Sequence, residues 1–129
     1  MRRATLIVLD GIGAGPATDS AQYGDGGSDT RGFLFANVVE LDRRLPRLLD
    51  AVREEDLVIF SADHGNDPTT PSTDHSREAV PLLVYGPRVR PVSLGVRRTL
   101  ADVGQTVAEF LGAAPLLAGT SFLPEVRSD

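Results

Sequence analysis

Leu57-Val58-Ile59-Phe60-Ser61-Ala62-Asp63-His64-Gly65-Asn66-Asp67 is the stretch whose reading decides the fold. An apolar run rich in β-branched and aromatic side chains stops abruptly at a charged, glycine-containing segment. Such a run predicts a strand buried on both faces, as in a parallel sheet covered by helices. In such sheets functional groups gather just beyond the carboxyl ends of the strands. Here the strand ends in Asp63.

The rest of the chain repeats the pattern. Residues 4–9 form a second apolar run that ends in Asp10 and a glycine-rich turn, residues 11–16. Residues 17–32 are polar and read as a long loop, and residues 33–39 read as another strand. Asp42 can cap a helix that places Leu45, Leu48, Leu49 and Val52 on one face, with Pro46 near its first turn. Residues 80–85 predict a fourth strand before Gly86-Pro87. Thr99 opens a second helix whose apolar face is Leu100, Val103, Val107, Phe110 and Leu111, with Gly112 just past its end. The tail from Ala113 carries a short apolar patch, Ser121-Phe122-Leu123, and is expected to fray after it. Strands alternating with amphipathic helices define an α/β class, a mostly parallel sheet with helices packed on it.

Composition narrows the chemistry. The 129 residues suit one domain. All 13 basic residues are arginine, which excludes a Schiff-base lysine and a Walker-type phosphate loop. The absence of cysteine excludes thiolate nucleophiles, thiolate zinc sites and iron–sulfur clusters. A formal charge of -5 argues against nucleic acid as a partner. No apolar run reaches the roughly 18–20 residues that span a bilayer, and the start is charged too early for a signal peptide. The expectation is a cytoplasmic protein.

Both histidines of the chain, His64 and His75, fall within one short stretch together with Asp63, Asp67, Asp74 and Glu78. Carboxylate oxygens with neutral imidazole nitrogens suit Mn or Zn, and a carboxylate-rich site suits Mg as well. Asp10, from the end of another strand, would complete a set with Asp63 and His64. His75 could serve the same ion or a second one. On spacing alone the bland alternative stands beside this one: a strand-end Asp is often a turn or cap, and an Asp-His pair a hydrogen bond. Arg77 lies within the cluster and could hold a phosphate, whereas Arg97 and Arg98 read as solvated surface residues. Gly11-x-Gly13 is followed by Pro16 where a dinucleotide fingerprint needs glycine, and no Gly-x-Ser-x-Gly elbow exists.

These residues carry a specific resemblance. Ser61-Ala62-Asp63-His64-Gly65-Asn66-Asp67-Pro68, Thr73-Asp74-His75-Ser76-Arg77-Glu78 and Val80-Pro81-Leu82-Leu83 resemble the phosphopentomutase family of the alkaline phosphatase superfamily. So do Ile7-Val8-Leu9-Asp10-Gly11-Ile12-Gly13, residues 24–30, Phe35-Ala36-Asn37-Val38-Val39, residues 99–104 and Gly119-Thr120-Ser121-Phe122-Leu123, in the order the family has them. The resemblance implies an alkaline phosphatase-like core, with residues 1–129 as a single metal-binding domain and the cap domain absent. It implies Asp10, Asp63 and His64 as ligands of one divalent ion, manganese in the family's manner with Mg or Zn as alternatives, and His75 as a ligand of a second. The family interconverts ribose 1-phosphate and ribose 5-phosphate through a phosphorylated threonine, so a pentose phosphate is the implied small-molecule partner.

The departures are equally specific. One block is missing between about Thr30 and Phe35, where the family carries its threonine nucleophile and its cap. Another is missing at about Glu40-Leu41, where the family carries further ligands of the second ion, and Glu40 could stand in for one of them. A natural minimal homologue, a cap-deleted core and a truncated relic all fit this pattern. A mutase needs a covalent carrier and a lid, so the catalytic residues of this chain stay unassigned. Three outcomes remain open: mutase-like function, slow phosphate-ester hydrolysis by metal-activated water, or a non-catalytic metal-binding module. Surface left bare by a missing cap would favour self-association.

Overall fold

Asp56–Ser61 (β2) is the middle strand of a three-stranded sheet ordered β1-β2-β3, in a computed structural model that describes residues 1–10, 20–23, 35–67 and 75–128. The neighbours are Arg3–Val8 (β1) and Leu82–Tyr85 (β3). The helices are Phe35–Asp50 (α1), Ala101–Leu111 (α2) and Leu123–Val126 (α3), and Ser20–Tyr23 forms one 3₁₀ turn. Strand pairing is mostly parallel and the class is α/β, as the alternation of runs predicts. Every residue of β2 is buried. A middle strand has a neighbour along each edge, and its apolar side chains need cover on each face.

The run at residues 4–9 forms its strand, but not a buried one. Leu6 and Val8 stand 50% and 51% exposed. Among the described residues β1 is an edge strand, and an apolar run reports a preference for cover rather than the presence of it. Residues 33–39 require a larger correction. Residues 35–39 begin helix α1, which runs on through Asp42, so Asp42 is an internal residue and not a cap. A short apolar run has no period of its own, and here it joins the helical spacing that follows. That spacing holds: Leu41, Leu45, Leu48 and Leu49 are half-buried, while Asp42, Arg43, Arg44, Pro46, Arg47 and Asp50 are exposed. The glycine-rich turn at 11–16, most of the loop at 17–32 and the middle of the histidine loop at 68–74 lie outside the described residues. Among the described residues no helix is long and apolar enough to cross a membrane.

Contacts group the chain into two compact units, to both of which the strands contribute. One comprises residues 1–5, 52–58 and 84–129, and its core corrects the expectation that the chain frays beyond Leu123, because helix α3 carries on to a buried Val126. Phe122 is fully buried, with Leu123 and Val126 nearly so. The backbone N–H of Phe122 donates to Thr106 Oγ1 at 3.0 Å, and that hydroxyl donates to the Asp102 carbonyl at 2.7 Å. A fully buried hydroxyl is therefore satisfied both ways. Helix α2 ends at Gly112, whose φ of 73° is the left-handed conformation a glycine accepts without strain. At its start, Thr99 Oγ1 accepts the Ala101 N–H at 3.2 Å.

Arg97 is not the solvated residue the sequence suggests. Its guanidinium donates to Asp102 and Glu125, each at 3.1 Å, and to the Thr120 carbonyl at 3.3 Å, and it rides over the Phe122 ring. Burial alone would lower its pKa; the bonds to Asp102 and Glu125 outweigh that and raise it. At the start of β2, Arg3 grips Asp56 with both nitrogens of its fork, Nε at 2.8 Å, and the Arg53 N–H adds a third bond. Hydrogen bonding from Arg3 is the main reason the Asp56 carboxyl is pulled down to about 2.

Candidate metal centre

The second unit, residues 6–51 and 59–83, carries the chemistry. Its logic begins with one backbone bond. The Leu9 N–H donates to the Ser61 carbonyl at 2.7 Å, which ties the exit of β1 to the exit of β2. Asp10 and Asp63 each lie two residues beyond their strand, so pairing of the strands delivers both carboxylates to one place. His64 follows Asp63 directly.

Among the described residues, one group of three metal-type donors comes together: Asp10, Asp63 and His64, with one ligand atom from each within 4.8 Å of the others. His64 Nε2 is 3.3 Å from Asp10 Oδ1 and 3.5 Å from Asp63 Oδ2. Two donors at about 2.1 Å from one ion in tetrahedral arrangement lie about 3.4 Å apart, so these separations match the edges of a coordination polyhedron.

The other nitrogen supplies an independent test of fit. His64 Nδ1 is 2.8 Å from the Gly65 carbonyl oxygen. A carbonyl only accepts, so Nδ1 carries the proton and Nε2 is left facing two carboxylate oxygens. In the neutral ring its lone pair would meet the two carboxylate oxygens, and a cation would fit between the three donors. A carbonyl that fixes the far ring nitrogen is also how proteins orient a histidine ligand. The donor set, two carboxylates and one imidazole, suits Mn, Zn or a related divalent ion.

His75 comes to the same place in a different way. Its ring stacks on His64, with centroids 3.8 Å apart and planes 12° apart. It is exposed and stands outside the three-residue group. Stacked imidazoles keep their nitrogens at the ring edges, so each can serve a separate ion. Glu40 is not brought to the cluster: on α1 it accepts from Arg44 Nε at 2.7 Å and lies 3.8 Å from Arg43. Arg77 is exposed in the arm that follows His75.

Sequence reasoning counted Asp67 and Glu78 only among the carboxylates of a metal-type cluster and gave Ser76 no role, although all three are buried. The alternation of exposed His75 and Arg77 with buried Ser76 and Glu78 has the period of an extended strand. All four are polar, and a search for apolar periodicity passes over them.

A sequence profile of the Metalloenzyme superfamily matches residues 35–115. That span contains Asp63, His64 and His75 and begins after Asp10. Among curated proteins, the chain is similar to the phosphopentomutase of Serratia proteamaculans (strain 568), 59% identical over 88 residues, which are 67% of this chain and 22% of that protein. It is also similar to the phosphopentomutases of Yersinia pseudotuberculosis serotype O:3 (strain YPIII) and Yersinia pestis bv. Antiqua (strain Angola), 56% and 54% identical over 90 residues, 69% of this chain and 22% of each relative. The chain thus spans 22% of the length of these relatives.

Proposed function

Because the chain belongs to the Metalloenzyme superfamily, we propose that it is a phosphopentomutase-like metalloprotein holding a divalent ion, manganese by preference, on Asp10, Asp63 and His64. The observation that carries this reading is the orientation of His64, whose Nδ1 is engaged by Gly65 while Nε2 faces both carboxylates. His75 is assigned to a second ion, held by fewer groups. The whole chain is read as one metal-binding core domain, and its location as the cytoplasm. The ligand class is a phosphorylated small molecule, a pentose phosphate by analogy with the relatives, and the reaction is an isomerase's phosphoryl shift between sugar positions.

A bound divalent ion supplies positive charge to a phosphoryl oxygen. The chain's own residues do the rest: Asp10 and Asp63 set the charge of the site, and Gly65 fixes the tautomer and aim of His64. Exposure of Asp10 and Asp63 favours a second reading. Water reaches this site freely, so a phosphate ester held there is open to hydrolysis, whereas a mutase must exclude water from its intermediate.

Thermal melting with and without Mn tests the metal reading. At a hundredfold excess over Kd, binding to the folded state is worth about 2.7 kcal/mol, on the order of 8–10 °C in Tm. The rise is expected in the wild type and lost in His64→Ala; no rise in either overturns the site. Assays with Mn on a pentose 1-phosphate and on an aryl phosphate then separate the chemistries. Interconversion supports the mutase reading and release of inorganic phosphate the hydrolase. Metal binding with neither leaves a non-catalytic module.

A further inference from the structure

The histidine loop has two described arms, 63–67 and 75–78, fastened by two layers of bonds. In the backbone, the Gly65 N–H donates to the Ser76 carbonyl at 3.3 Å and the Ser76 N–H donates to the Gly65 carbonyl at 3.1 Å, closing an antiparallel bridge. In the second layer, Ser76 Oγ accepts the Asp67 N–H at 2.9 Å and donates to Glu78 Oε1 at 2.6 Å. Ser76, Asp67 and Glu78 are 3%, 5% and 8% exposed. The Glu78 side chain packs so closely on Gly65 that no Cβ fits there.

Burying a carboxylate and a hydroxyl is costly unless their bonds are made, and neither group belongs to the donor set. What they touch defines their task. The Gly65 carbonyl that accepts from the Ser76 backbone N–H, in the residue whose hydroxyl bonds Glu78, is the same oxygen that engages His64 Nδ1. Ser76 is also the residue next to His75, whose ring lies on His64.

We propose that Ser76 and Glu78 are positioning residues: their hydroxyl–carboxylate bond latches one arm of the loop to the other, holds the His75 ring against His64, and steadies the Gly65 carbonyl that aims Nε2 at Asp10 and Asp63. The consequence for metal affinity rests on the metal reading above; the ring geometry does not.

Two measurements on the full chain keep those parts distinct. In the metal-free protein, NMR cross-peaks between the imidazole C–H protons of His64 and His75 are expected for the wild type and for Ser76→Thr, which keeps the hydroxyl. They are expected to vanish in Ser76→Ala. Where Ser76→Ala does not fold, Glu78→Gln keeps the shape, weakens the charge-assisted bond and is expected to reduce the cross-peaks. Calorimetric titration with Mn should show affinity about 10–100-fold weaker in Ser76→Ala and restored in Ser76→Thr. Cross-peaks that are absent from the wild type, or unchanged in both Ser76→Ala and Glu78→Gln, overturn the latch. Cross-peaks that follow the hydroxyl in a wild type that binds no Mn uphold the latch and overturn the metal reading. Mn binding by the wild type with an affinity Ser76→Ala leaves unchanged overturns the aiming of Nε2.

Discussion

At Gly65 a single methyl group would collide with the Glu78 carboxylate and lie 2.7 Å from its Cβ. Glycine is therefore required by space rather than by backbone conformation. Gly65→Ala should cost about 1–3 kcal/mol in urea unfolding, the range of an overpacked site, and should blunt the Mn-induced rise in Tm. A fully stable alanine variant would show that the contact yields. Asp56 makes a second prediction. Its carboxyl sits at about 2 against the usual 3.8, so the folded state binds this proton less readily than the unfolded chain. The stability it contributes is complete above about pH 4 and is lost as the pH falls toward 2. In Asp56→Asn, unfolding followed across that window should lose the part of the pH slope due to this group; an unchanged slope would mean that Arg3 does not favour the charged form. At this scale the sequence was legible where chemistry is concentrated. Asp10, Asp63 and His64 are strand-end residues of metal-binding types, and the structure gathers them. Arg97 and Ser76 were not legible, because a buried ion pair and a buried hydroxyl depend on partners that no local pattern announces.

The elements show why some periods speak and others do not. Helix α2 stops at a glycine as expected, but only Val103 and Phe110 of the expected apolar face are buried; Leu100 and Leu111 stand 52% and 50% exposed, and Asp102, Thr106 and Ala108 are buried in their place. Gly112→Ala should lower stability by about 1 kcal/mol, since alanine resists the left-handed conformation there. Helix α1 was half legible. Its second half has an apolar stripe, while its first residues imitate a strand because β-branched valines favour a strand and so short a run shows no helical period. Helix α3 has four residues, fewer than any period can reveal. Its neighbour Phe122 is nonetheless the largest fully buried side chain. Phe122→Ala should cost about 3–5 kcal/mol, measured by denaturant unfolding. A loss below about 1 kcal/mol would show that Phe122 is not part of the core.

For the molecule as a whole, and among the described residues, the middle strand of the sheet is buried while each of its neighbours leaves two apolar side chains exposed. Leu6 and Val8 on β1, and Leu83 and Tyr85 on β3, stand 45–62% exposed. Apolar edge strands invite pairing with another chain. Sedimentation at rising concentration should show a growing fraction of larger species, and Leu6→Lys, which places a charge on the β1 edge, should reduce it. A monomer at all concentrations would overturn that expectation. The family membership was legible because its motifs survive as short strings in their proper order. The state of the edges was not, because a strand's residues state what they would bury and not what stands beside them.

The openness of Asp10 also sets a clock. Its side chain is 88% exposed, the most accessible of the three donors. For an ion held as proposed, a donor reached by solvent from nearly every side would let water replace it step by step, so the ion would leave over a sequence of small barriers rather than one large one. The expected result is a short residence time. Stopped-flow mixing with a chelator should strip the ion rapidly, at a rate that Asp10→Ala increases further. Occupancy would then follow the free-ion concentration of the surroundings from moment to moment, as in a buffer and unlike a permanent fixture.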